Sequence, residues 1–226
     1  MLTELTIQRS KAGHLFPRPT RGPLLAERRT STGPIEVAGS RASFARNAQI
    51  YREKEPADRL YKVTSGTVRT CKVLVDGRRH IGAFYLPGET FGLEPGDRHM
   101  ASAEAVIDAE VLIIRRCTAN TFPSWDDELT RLMSRELQRT QEHLLLLIKT
   151  APERVATFLL EMSARVRSDD EVELPMSRRD VADYLGLTIE TVSRTLTQFE
   201  NQSVIALPTA KRIVLRNRPA LKRLIA

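Results

Sequence analysis

The chain has 226 residues, 41% of them hydrophobic, and a formal net charge of +7. That apolar content is enough for real cores, in one large domain or two small ones, and it excludes global disorder. The positive balance favours an anionic partner. From Ser177 to Ala226, nine Lys/Arg face four Asp/Glu, so most of the excess lies at the C-terminal end.

The longest apolar run, Leu144 to Ile148, has five residues, far short of a membrane span. The N-terminus lacks an apolar signal core, so the chain is expected in the cytoplasm with no membrane partner. Cys71 and Cys117 stand far apart in sequence, without metal-ligand or disulfide-framework spacing. Each reads as a small buried residue.

Residues 1–38 are rich in Arg, Pro, Thr, Ser and Gly and show no sustained period. They read as a flexible, mildly basic arm, which either adds a contact to DNA or a partner or merely solvates the chain. Over 39–124 short β-prone runs recur: Ala48-Tyr51, Leu60-Thr64, Thr67-Leu74, His80-Leu86, Ala103-Val106 and Val111-Arg115. Turn residues separate them, among them Ser65-Gly66, Asp76-Gly77 and Pro87-Gly88. Asp-Gly between two β-prone runs predicts a hairpin, and strands at this spacing predict a sandwich or jelly-roll barrel.

A long helix follows over 125–150. Trp125-Asp126-Asp127-Glu128 places acid at its N-terminus, where the helix dipole favours it. Met133, Leu137, Thr140, Leu144, Leu147 and Ala151 alternate at steps of four and three, the seam of a coiled coil. A helix covering its own domain also shows apolar periodicity, but strict alternation over this length favours pairing with a second copy. Thr140 is neutral and weakens the seam only slightly; an acid there would repel its symmetry mate.

Pro152 marks the junction to a final domain, 151–226. Glu153-Ser163 reads as a helix buried through Val155, Phe158, Leu159 and Met162, then Arg167-Glu171 as a loop and Val172-Leu174 as a strand. Residues 177–199 read as a helix-turn-helix. Ser177 and Asp180 have capping-box spacing, Gly186 ends the first helix, and Thr188 caps the second. In the second helix Val192, Leu196 and Phe199 form an apolar stripe, and Glu190, Ser193, Arg194 and Thr197 a polar one opposite. Val204-Leu207 and Arg212-Leu215 then predict a hairpin wing, with Lys211, Arg212, Arg216 and Arg218 where phosphates would pass.

In this order the segments resemble the CRP/FNR regulators, and within them the FixK-type proteins. The matching stretches are RLMSRELQ at 131–138, LLLLIKTAPERVATFLLEM at 144–162 and LPMSRRDVADYLGLTIETVSRTL at 174–196. The resemblance covers roughly residues 40 to 226. It implies an α+β fold: an N-terminal β-roll (jelly-roll, cyclic-nucleotide-binding-like), a long dimerisation helix and a C-terminal winged helix-turn-helix. The implied partners are double-stranded DNA, a second copy of the chain and RNA polymerase.

Glu190, Ser193 and Arg194 match the E-x-x-S-R recognition pattern of FNR-type members, which implies a TTGAT-like half-site in an inverted repeat. The chemistry agrees. Arg194 can donate twice to guanine O6 and N7, and Glu190 can accept from cytosine N4. CRP-type members have an arginine just before the glutamate; here Ile189 can only touch a thymine methyl or pack. Arg178, Arg179, Thr188, Thr191 and Arg212 are expected at phosphates, and Met133, Leu137, Thr140, Leu144 and Leu147 at the dimer seam.

No cofactor, metal site or catalytic residue is expected. Cyclic-AMP binding in CRP-type members requires a glutamate where this chain has Leu93, and an Arg-Ser or Arg-Thr pair where His99-Met100 align best. An FNR-type iron–sulfur cluster needs clustered N-terminal cysteines, and none precedes Cys71. Ser177 stands where some FixK relatives carry a redox-active cysteine. His14, His80, His99 and His143 lack the close spacing of a cupin-like metalloenzyme. The FixK resemblance implies an activator of low-oxygen genes, such as those of nitrogen fixation, high-affinity respiration or denitrification, and the empty sensing positions suggest that its activity is set mainly by its amount. The alternative is a ligand- or haem-gated sensor or repressor using the β-roll.

Overall fold

A computed structural model of the chain describes residues 39–116, 125–166 and 170–225. The arm 1–38, Cys117 and residues 167–169 of the loop expected over 167–171 lie outside the described residues.

Eight antiparallel strands form two four-stranded sheets. One has the order β1-β8-β3-β6, from Ser40–Phe44, Ala109–Arg115, Arg59–Ser65 and Thr90–Phe91. The other has the order β2-β7-β4-β5, from Gln49–Tyr51, Ser102–Ala105, Val68–Val73 and Arg79–Tyr85. Val63, Val68, Ala103, Ala105 and Val111 are fully buried between the sheets, as period-two burial requires. The expected Asp76-Gly77 hairpin joins β4 to β5, with Gly77 at φ +81°. Strands β1 and β6 were not expected. Neither offers an apolar alternation to read: β1 is mostly exposed and β6 has two residues.

Helix α1 spans Trp125–Leu147 and α2 spans Ala151–Arg165. Between them Thr150 caps α2: its N–H and hydroxyl both donate to Glu153, each at 2.7 Å. Pro152 lies in the first turn of α2, where its missing N–H costs nothing. Helix α3 (Arg178–Leu185) and helix α4 (Ile189–Asn201) form the helix-turn-helix. Strands β10 (Ile205–Ala206) and β11 (Arg212–Leu215) form the expected wing, and β9 (Glu171–Glu173) pairs with β11 to complete a three-stranded sheet. Helix α5 (Arg218–Ile225), not expected, packs Leu221 inward, and Arg218 Nη1 donates to Ser163 Oγ on α2 at 2.6 Å.

One apolar core runs from the roll through α1 and α2 into the helix-turn-helix. It joins Ile81, Phe84 and Val106 to Leu146, Phe158, Leu159, Met162, Tyr184 and Phe199. Among the described residues no helix is long and apolar enough to cross a membrane.

Candidate nucleic-acid interface

Local sequence builds the reading head. Ser177 Oγ accepts from the Asp180 N–H at 3.1 Å, and Asp180 Oδ2 accepts from the Ser177 N–H at 3.1 Å, a reciprocal capping box. Gly186 ends α3 at φ +61°, the left-handed region that glycine enters without penalty. Thr188 Oγ1 then accepts from the Thr191 N–H at 3.2 Å and caps α4. Val192, Leu196 and Phe199 anchor α4 in the core, so the opposite face is turned outward.

On that outward face Glu190, Ser193 and Arg194 are exposed, and Arg194 makes no ion pair among the described residues. Arg179 is exposed and Arg178 half-buried, its charge disfavoured by burial. Thr188 and Thr191 lie at the N-terminus of α4 and share a hydroxyl contact of 3.1 Å. Arg212 is on the wing, but it is held: Glu171 on β9 accepts from its Nε and, at 2.8 Å, from its Nη2. Arg218, also expected beside the wing, is turned onto Ser163, whereas Lys211 and Arg216 are exposed.

Sequence reasoning missed what ties this head to the roll. Asp180 Oδ2 serves the cap, while Asp180 Oδ1 accepts from Arg69 Nη1 on β4 at 3.0 Å and from Arg79 Nη2 on β5 at 2.5 Å. Arg79 Nε also donates to Asp183 at 2.8 Å, and Arg69 Nη2 to Glu104 at 2.7 Å. Arg69 and Asp180 are only 7% and 6% exposed. Burial alone would raise the Asp180 carboxyl, but the Ser177 hydrogen bonds and the two guanidinium charges outweigh it and hold it below its ordinary value. The capping spacing was visible; the second oxygen's partners, more than 100 residues upstream, carried no local signal.

The expected seam lies on α1. Met133, Leu137, Thr140 and Leu144 are exposed, and the Thr140 hydroxyl is satisfied by the Glu136 carbonyl at 2.9 Å. Leu147 differs: it is half-buried, with its Cδ2 3.3 Å from where a Cβ on Gly186 would stand. The neighbouring Ile148 is 81% exposed instead.

The roll interior is filled by its own aromatic rings. Tyr51 stacks on His99 with centroids 3.5 Å apart, and Tyr61 and Tyr85 each lie 5.2 Å from Phe91. His99, where a cyclic-nucleotide binder needs its phosphate arginine, is buried with Nδ1 3.3 Å from Glu94. These residues do not fit a cyclic nucleotide. Nor does any group of three or more His, Cys, Asp or Glu among the described residues stand ready to hold a metal ion. Cys71 is buried, and burial, first of all, pushes its thiol up to about 11, which leaves little reactive thiolate.

A β-roll, a long helix with an exposed apolar face and a winged helix-turn-helix together define the architecture of a DNA-binding regulator. Known proteins agree. Residues 153–224 match the Crp-like helix-turn-helix domain and residues 41–121 the cyclic nucleotide-binding domain. The nitrogen fixation regulation protein FixK of Azorhizobium caulinodans is 48% identical over 84% of this chain and 81% of its own length. The FixK of Rhizobium meliloti is 40% identical over 85% of this chain and 91% of its own. The structure of FixK2 from Bradyrhizobium japonicum superposes with a TM-score of 0.80 at 46% identity, covering 84% of this chain and 98% of that one. The chain belongs to the CRP/FNR family of transcriptional regulators, in its FixK-type branch.

Proposed function

We propose that this protein is a homodimeric activator of low-oxygen genes, including those of nitrogen fixation, that reads TTGAT-type inverted repeats. The observation that carries the reading is the outward face of α4, where Glu190, Ser193 and Arg194 are exposed on a helix anchored by its other side. Arg194 and Glu190 suit the two bases of one G·C pair, and Ser193 a neighbouring base edge. Arg179, Thr188 and Thr191, with the half-buried Arg178, take phosphates. Arg212 does so only by sharing its guanidinium with Glu171. The physiology and the contact with RNA polymerase rest on similarity to the FixK relatives. The filled roll weighs against the rival reading in which a ligand or haem inside the roll gates a repressor.

A second copy seated on Met133, Leu137, Thr140 and Leu144 supplies the two-fold axis that an inverted repeat requires. The test is quantitative footprinting of the wild type and Arg194→Ala on operators mutated base by base. We expect Arg194→Ala to lose about 1–3 kcal/mol of discrimination at the G·C pair alone. Equal weakening on every sequence would make Arg194 a phosphate contact and sink the assignment.

A further inference from the structure

A cleft of about 240 Å³ lies open where the last turns of α1 meet α2 and Tyr184 of α3. We propose that this cleft binds a small uncharged heteroaromatic molecule, of nicotinamide or free-nucleobase size, held by His143 and Thr157. This goes beyond the DNA-reading function and places a ligand outside the roll.

Polar atoms without partners carry the argument. His143 is 8% exposed, and both its ring nitrogens are buried with no hydrogen-bond partner among the described residues. Thr157 Oγ1 on α2 lines the same cleft in the same condition. Buried polar groups left unpaired are uncommon in folded proteins, and each asks for a water or a ligand group. Tyr184 meets the His143 ring edge-on at 4.4 Å and Leu146 adds an apolar wall. Flat apolar walls around a few converging polar atoms are the composition of small-molecule sites.

Charge and size set the ligand class. The cleft is lined by two cations, Arg139 and Lys149, and two anions, Glu142 and Glu161. Arg139 is already tied to Glu136 at 3.3 Å and Glu89 at 3.4 Å, and Glu161 to Arg165 at 3.2 Å. The lining therefore carries two charges of each sign and favours neither a cation nor an anion. Burial, and then the charge of nearby His80, push the His143 imidazole down to about 4, so at neutral pH it offers one donor and one acceptor. A neutral amide or lactam edge matches that pair. The volume is below the roughly 300–1,000 Å³ of drug-sized sites, which limits the guest to one ring or two fused rings.

The position gives the ligand something to act on. It touches α1, which carries the seam, and α3, which opens the helix-turn-helix. At about 100° per residue, Leu146 lies on the side of α1 away from Leu137 and Leu144, while His143 neighbours the seam residue Thr140.

The experiment is ligand-observed NMR and calorimetry on the full chain, without DNA, with nicotinamide and thymine as probes and benzoate and benzylamine as charged comparators. A guest of about ten non-hydrogen atoms should bind with a Kd on the order of 0.1–1 mM, with the comparators at least about tenfold weaker. Thr157→Val, nearly isosteric, should weaken the neutral probes by roughly fivefold or more, and His143→Phe should abolish them. No saturation by either neutral probe up to about 10 mM, comparators that bind as well, or unchanged binding by both variants would overturn the site. Because DNA is absent, failure here leaves the operator reading standing. Adding operator DNA should then shift the probe's affinity by the factor by which the probe shifts DNA affinity; an unchanged value in both directions would overturn its role as an effector.

Discussion

Arg69 on β4 and Arg194 on α4 both serve the helix-turn-helix, from opposite sides of it. Arg69 is inside, with its guanidinium shared between Asp180 and Glu104, while Arg194 is outside and unpaired among the described residues. The same side chain thus holds the head to the roll in one place and stays open to solvent in the other. The difference is desolvation: a buried charge must be matched inside the protein, whereas an exposed one keeps its water until a partner displaces it. Breaking the inner set should cost stability, and breaking the outer set should cost only recognition.

The largest effect is expected at the inner set. Asp180→Asn removes the carboxylate that Arg69 and Arg79 share, leaving them Glu104 and Asp183, and should lower folding stability by about 2–3 kcal/mol in chemical denaturation. A loss under about 1 kcal/mol would mean that the two arginines do not hold α3 in solution. Arg194→Ala, by contrast, should leave the unfolding midpoint within experimental error while relaxing base choice, since exposed substitutions rarely shift stability by more than about 0.5 kcal/mol.

Acid should act on an inner group of another kind. His143 is neutral in the fold, with its pKa lowered from 6.5 to about 4. Between those values the unfolded chain binds more protons, so stability falls as pH falls from about 6.5 towards 4. The loss should be about 1–3 kcal/mol and should vanish in His143→Phe. The depressed Asp180 carboxyl acts lower: its contribution is present above its ordinary 3.8 and is lost as pH falls through its still lower folded value. A single acid transition confined below pH 3.8 would show that His143 is solvated.

The smallest effect tests the boundary between the two sets. Arg212 is exposed yet paired to Glu171, and Glu171→Gln should free it for phosphate. DNA binding should tighten by up to about 1 kcal/mol, with a salt slope steeper by about one. An unchanged slope would mean that Arg212 never meets the backbone.

Much of the reading head was legible in the sequence because its determinants are local. Ser177 and Asp180, Gly186, and Thr188 with Thr191 act over three or four residues, and the α4 stripes repeat with the helix. The two sheets were legible as a class but not strand by strand, because β1 and β6 are held by their neighbours rather than by an apolar pattern. Leu147 fits the seam's spacing, yet the turn before α2 brings Gly186 against it. Arg212 looked like any wing arginine until β9 brought Glu171 beside it.

By itself the sequence determined the capped helices, the apolar stripe of α1, the basic C-terminal end and the helix-turn-helix that marks the family. These follow from charge, turn chemistry and periodicity, which act between near neighbours. Only the tertiary structure decided that Asp180 divides its two oxygens between a cap and two distant arginines, that the roll is filled by its own rings, and that His143 and Thr157 face a cleft without partners. Those outcomes depend on which surfaces meet when the roll closes on the helices, and packing between residues as much as 111 positions apart leaves no period in the chain.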